Sequence, residues 1–84
     1  MNKNITPRNE KGQPDGYWEY YFPNGKLGYK GNYINGNGNQ DGPWEWYYDN
    51  GKLFYKGNYI NGSQDGLWGW YNTNGKLESK KYFI

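Results

Sequence analysis

Two series of lysines recur at matching places along this 84-residue chain: Lys26, Lys52 and Lys76, and Lys30, Lys56 and Lys80. Tyr21, Tyr47 and Tyr71 lie near them. Cations and rings on one face are the ingredients for holding a nucleotide, through base stacking and phosphate contact. Solubility and ion pairing are the plainer role, because Glu19 and Glu45 fall where they can pair with Lys30 and Lys56, and surface pairs contribute only about 0–1 kcal/mol each. A second constellation consists of Trp18, the pair Trp44 and Trp46, and the pair Trp68 and Trp70. Residues two apart on a strand share a face, so each pair is either a stacking platform for bases or sugars or part of a core.

Composition excludes most other chemistry. With no Cys and no His, disulfides, thiolate and imidazole metal ligands, and Cys-His or Ser-His-Asp nucleophiles are all absent. Asp15-Gly16, Asp41-Gly42 and Asp65-Gly66 lack the alternating acids of a Ca²⁺ cage and read as turns. The string GNGNQDG has no following helix and no Lys-Ser or Lys-Thr, so it does not read as a phosphate loop. Glu19 and Glu45 each have a lysine partner and no evident pocket. No catalytic residue is therefore assigned, and neither a cofactor nor a metal is expected.

The apolar fraction is 33%, below the usual share of about 45–50%. Nineteen of those residues are aromatic, and the chain has no Ala or Val. The chain must bury rings or bury almost nothing. Aromatic content of 23% and a net charge of +2 are not the composition of a disordered chain, despite a mean hydropathy of −1.36. The charges are mixed along the sequence, so neither nucleic acid nor an acidic membrane is an expected partner. No apolar run approaches the ~18 residues of a membrane span, and the first residues do not resemble a signal peptide, which makes the cytoplasm the default location.

Three copies of one unit must position these residues. They begin at Asp15, Asp41 and Asp65, giving units 15–40, 41–64 and 65–84 after an arm, 1–14, read as mobile or loosely docked. The unequal spacing lies wholly in the loops NGNGNQDG and NGSQDG, whose even difference in length preserves strand parity. Within each unit two alternating, aromatic-rich runs flank Asn-Gly, the strongest short hairpin signal. The prediction is all-β: an antiparallel meander of three β-hairpins, about six strands in one elongated, twisted sheet, with no helix.

With Asn24-Gly25 at the tip or centre of an even loop, Phe22 faces Leu27, Tyr20 faces Tyr29, Glu19 faces Lys30 and Trp18 faces Gly31. The second unit repeats this as Tyr48 with Leu53, Trp46 with Tyr55, Glu45 with Lys56 and Trp44 with Gly57. Acid meets base and indole covers glycine in both copies. A three-residue loop would mix the faces and is rejected on that ground. One face then carries the Trp residues with Tyr20, Phe22, Leu27, Tyr29, Tyr33, Tyr48, Leu53, Tyr55, Tyr59, Leu77 and Phe83. The other carries the acids, both lysine series, the three tyrosines and Phe54. The third unit has Gly69 for Glu45, Asn72 for Tyr48, Ser79 for Tyr55 and Lys81 for Gly57, as expected of a terminal cap.

The segments KGNYINGNGNQDGPWEWYYDNGKL and KGNYINGSQDGLWGWYNTNGKL resemble the MORN repeat, in the bacterial variant of an antitoxin-like family from toxin-antitoxin loci. That resemblance implies antiparallel hairpins in an elongated sheet and roles in protein contact, with acidic lipids bound by some eukaryotic members. The reading that results is a non-enzymatic binding module that occludes a partner protein, a toxin or enzyme, through Trp18, Tyr20, Tyr29, Trp44, Trp46, Tyr55, Trp68 and Trp70. Self-association would cover the same face. The alternatives are sequestration of a small anionic ligand such as a nucleotide between copies, by Tyr21, Lys26, Lys30, Tyr47, Lys52, Lys56, Tyr71 and Lys76, or weak binding to acidic lipid.

Overall fold

A computed structural model describes residues 3–34 and 39–84. Six strands, β1 (Gly16–Tyr21), β2 (Leu27–Ile34), β3 (Asn39–Tyr47), β4 (Leu53–Ile60), β5 (Ser63–Tyr71) and β6 (Leu77–Phe83), follow one another in a single antiparallel sheet, each paired with its sequence neighbour. The sheet measures 40 × 38 × 11 Å, a single layer. No described residue is helical.

The hairpin turns differ from the predicted form. Phe22 N–H donates to Lys26 O and Gly25 N–H to Phe22 O, which closes a three-residue loop, Pro23-Asn24-Gly25, with Gly25 at φ +86°. The same loop closes in the other two hairpins, where Asp49 and Thr73 replace Pro23; what the three share is a glycine at the left-handed last position, Gly25, Gly51 or Gly75. The odd loop would reverse the faces were it not followed by a bulge. Tyr21 pairs with Leu27 and Tyr20 with Tyr29, so Gly28 is the extra residue. Phe54 and Glu78 are the extra residues in the next two hairpins. The predicted pairs Phe22–Leu27 and Tyr48–Leu53 are therefore replaced by Tyr21–Leu27 and Tyr47–Leu53. The leucines move to the charged face, and Phe54 moves to the aromatic one, against Tyr48 and Tyr55. Beyond the bulge the predicted pairs Tyr20–Tyr29, Glu19–Lys30 and Trp18–Gly31 are present, as are their counterparts in the second unit.

The Asn-Gly turn with both residues at positive φ, expected within the hairpins, lies instead between them. Ile60 pairs with Ser63 around Asn61 (φ 49°) and Gly62 (φ 87°). The corresponding loop 35–38 lies outside the described residues, but its flanks pair in the same way, Ile34 with Asn39.

Between hairpins the register jumps. Lys30 pairs with Glu45 and Asn32 with Asp41, so Gly31 alone faces Gly42, Pro43 and Trp44. The excess backbone carries the Trp44 ring over Gly31, and the indole N–H donates to Asn32 O at 3.0 Å. Trp68 repeats this on Gly57 and Asn58 O. Trp18 has no preceding hairpin, and the segment before Asp15 takes that part. Ile5 and Glu19 exchange backbone hydrogen bonds, both 2.9 Å. Pro7 O accepts the Trp18 indole N–H, and the Arg8 guanidinium lies 5.1 Å from its ring centroid. The core is thus a line of rings, Trp18, Tyr33, Trp44, Tyr59, Trp68 and Phe83, each meeting the next edge to face at 5.1–6.3 Å.

Candidate functional site

Two rows cross the sheet at right angles to the strands, one on each face. On the aromatic face the register aligns Tyr20, Tyr29, Trp46, Tyr55 and Trp70, ending at Ser79. Tyr20 and Tyr29 stack at 5.3 Å, Trp46 and Tyr55 at 4.3 Å, and Tyr55 and Trp70 at 6.2 Å, with near-parallel rings. Tyr20 is 45% exposed and the other four are half-buried. This row is the half-exposed aromatic surface of the sheet. Trp18, Trp44 and Trp68, expected to contact a partner as well, are instead the core at 5%, 1% and 0% exposure. Their rings are consumed in covering the neighbouring hairpin or arm and have no free surface.

Asparagines fasten the turn end of the sheet. Asn24 Nδ2 donates to Asp49 O at 2.8 Å and Asn50 Nδ2 to Thr73 O at 3.0 Å. Each turn is tied to the next, which holds the aromatic row in line.

On the opposite face the register gives Glu19, Lys30, Glu45, Lys56, Gly69 and Lys80. The ion pair there is Lys30–Glu45 at 3.4 Å, between hairpins, and the two pairs expected within hairpins do not close. Glu19 is occupied otherwise: it accepts from the phenols of Tyr17 at 2.6 Å and Tyr21 at 2.7 Å. Those hydrogen bonds hold its carboxyl below the usual range, and the same bond, with burial and the carboxylate charge, pushes the Tyr17 phenol up to about 12. Burial works to raise Glu45, but hydrogen bonds from Tyr47 (2.5 Å) and Lys30 outweigh it and leave the carboxyl lowered. Burial and the bond to Glu45 raise the Tyr47 phenol.

This arrangement divides the predicted anion site. Tyr21, Lys30, Tyr47, Lys56 and Tyr71 share the charged face. Lys26 pairs with Phe22 across the turn, and its stem, like that of Lys52, lies against the turn glycine of the next hairpin, Gly51 or Gly75. Lys76 sits at the last turn opposite Asn72. One lysine series is thus at the turn end and the other mid-sheet, so they do not form a common phosphate stripe. Two shallow clefts of about 300 and 310 Å³ do open on the charged face, around Tyr17, Pro43 and Lys30 and around Pro43, Leu67 and Lys56. Tyr17, Pro43 and Leu67 occupy the same place in each unit, after Asp-Gly; that recurrence was the available signal for these clefts, and the aromatic pattern masked it.

No match is found among curated proteins or solved structures. The pattern of the MORN repeat variant matches residues 14–35, 40–61 and 64–84, each match covering one hairpin of the structure. Repeats of this kind are commonly protein- or membrane-binding modules and not enzymes. With three matched hairpins spanning most of its length, the chain belongs to the MORN repeat variant family.

Proposed function

We propose that this protein is a non-enzymatic protein-binding module that occludes a surface of its partner, in the manner of an antitoxin or small inhibitor. One observation carries the reading: the half-exposed row Tyr20, Tyr29, Trp46, Tyr55 and Trp70 runs across five strands of a one-layer sheet with no second layer over it. Trp and Tyr dominate binding hot spots because they bury large area at small entropic cost. The backing of such a row by a buried Trp line keeps it flat and preorganised.

The test is capture of partner proteins by immobilised wild type and by a Trp46→Ala, Trp70→Ala double variant, with folding checked by circular dichroism. The expected result is a partner retained by wild type and lost at least tenfold by the variant. Equal capture by a folded variant overturns the choice of surface. Light scattering identifies the case in which the partner is a second copy, because the variant would then revert to the 9.9 kDa monomer.

A further inference from the structure

The third hairpin carries an incomplete copy of a motif that the first two complete. In the first, the Glu19 carboxylate accepts from Tyr21, and in the second the Glu45 carboxylate accepts from Tyr47 and pairs with Lys30. In the third the tyrosine is kept as Tyr71, but residue 69 is glycine. Lys56 and Lys80 stand directly opposite Gly69 on the strands to either side. The Tyr71 phenol oxygen lies 3.5 Å from where a β-carbon of residue 69 would be and has no hydrogen-bond partner among the described residues. Neither Lys56 nor Lys80 makes an ion pair among them. The nearby acids do not fill the gap: Glu45, opposite Lys56 and within reach of its charge, is hydrogen-bonded by Tyr47 and ion-paired with Lys30 instead, Asp65 pairs beyond the register jump with Asn58, and Glu78 takes the bulge position that Phe54 fills on the aromatic side.

We infer that Gly69, Tyr71, Lys56 and Lys80 form a site for an external carboxylate, supplied by an acidic side chain of a bound polypeptide and taking the place that Glu19 and Glu45 occupy in the preceding hairpins. A phenol and an ammonium group are the partners the Glu45 carboxylate uses in this sheet already, and the place at Gly69 offers one phenol and two ammonium groups. A polypeptide is the source the shape favours. The face gives a small free carboxylate little to touch, whereas the adjoining cleft of about 310 Å³ beside Lys56, Gly57, Asn58 and Leu67 has room for the residues flanking an acidic side chain; Glu45 also lines it, so those flanking residues would be uncharged or basic on that side. Gly69 is itself buried, with Leu77, 51% exposed, leaning over it, its Cδ1 3.2 Å from the same β-carbon position, so a carboxylate enters by turning Leu77 outward. This inference rests on the protein-binding reading but uses the opposite face.

The test is titration of the ¹⁵N-labelled chain with hexaglutamate, and separately with glutarate, followed amide by amide. Hexaglutamate is expected to shift Gly69, Tyr71 and Lys80 saturably, and a Gly69→Glu variant, whose own carboxylate fills the gap, is expected to weaken this at least tenfold. A Tyr71→Phe, Lys80→Gln variant supplies the same comparison if Gly69→Glu does not fold. Shifts spread evenly over all lysines, Lys26 and Lys52 included, or persisting in both variants, overturn the site. Glutarate binding as tightly as hexaglutamate overturns the polypeptide source. Failure of hexaglutamate to shift Gly69, Tyr71 and Lys80 in the wild type, alongside intact, Trp46-dependent partner capture, rejects this inference alone.

Discussion

The ring of Trp68 lies directly on Gly57: a β-carbon at that position would sit 2.0 Å from Cδ2 of the indole, closer than any real contact. The glycine is required by the hairpin that follows it, not by its own. Gly31 stands in the same relation to Trp44, at 2.1 Å, whereas the equivalent residue in the last hairpin is Lys81, with no further tryptophan to cover it. The change from glycine to lysine thus marks where stacking stops.

Gly57→Ala is accordingly expected to destabilise the fold by about 2–3 kcal/mol, the upper range of an overpacked core, although alanine ordinarily favours a strand over glycine. Lys81→Ala should stay within about 0.5 kcal/mol, as at other exposed sites. Urea denaturation of the two variants beside wild type gives both values, and a tolerated Gly57→Ala would show that Trp68 does not need this seat.

Trp44→Phe keeps a ring over Gly31 but removes the N–H that satisfies Asn32 O. The orphaned carbonyl, freed from the ladder by the register jump, should cost about 1–3 kcal/mol. Adding the same change at Trp68 should be close to additive for the hydrogen bonds, because they lie in different hairpins, and any surplus measures coupling through Tyr59, which touches both rings.

Deleting residues 1–8 removes the carbonyl of Pro7, the cation of Arg8 and the strand pairing of Ile5 from Trp18. Stability should fall by about 2 kcal/mol, which for a domain this small lowers Tm by roughly 8–16 °C. Fluorescence should shift to the red as Trp18 meets water. An unchanged spectrum and Tm would show that the arm contributes nothing.

Stability should decline at both ends of the pH scale for opposite reasons. Glu45 has its folded pKa lowered, so its contribution is present above the unfolded value, about 4.3, and is lost as pH falls through the folded one. Tyr17 has its folded pKa raised to about 12, so its contribution is complete below about 10 and is lost as pH rises from there toward 12. Glu45→Gln should flatten the acid limb and also soften the alkaline one in denaturation curves collected across pH, because the Glu45 carboxylate helps to raise the Tyr47 and Tyr17 phenols.

Binary alternation, Asn-Gly turns and threefold recurrence are local properties of the chain. They were enough to determine six antiparallel strands, the pairing of Trp18 with Gly31, Trp44 with Gly57, and Tyr20 with Tyr29, and a third repeat that departs from the first two. Parity along a strand fixes which residues share a face, and the sequence carries parity openly. What it could not carry is where parity is broken. The three-residue turns with their compensating bulges moved Leu27 and Leu53 across the sheet. The jump at Gly31 and Gly57 turned Trp44 and Trp68 inward, as the segment before Asp15 did Trp18, and left Trp46 and Trp70 half-exposed. The turns close within each hairpin, and a three-residue loop differs from a two-residue one only in which N–H closes it, a choice that alternation and Asn-Gly leave open. The jump, and the choice of Lys30 by Glu45, depend on which groups find partners once neighbouring hairpins are side by side, and no single repeat read alone contains those contacts.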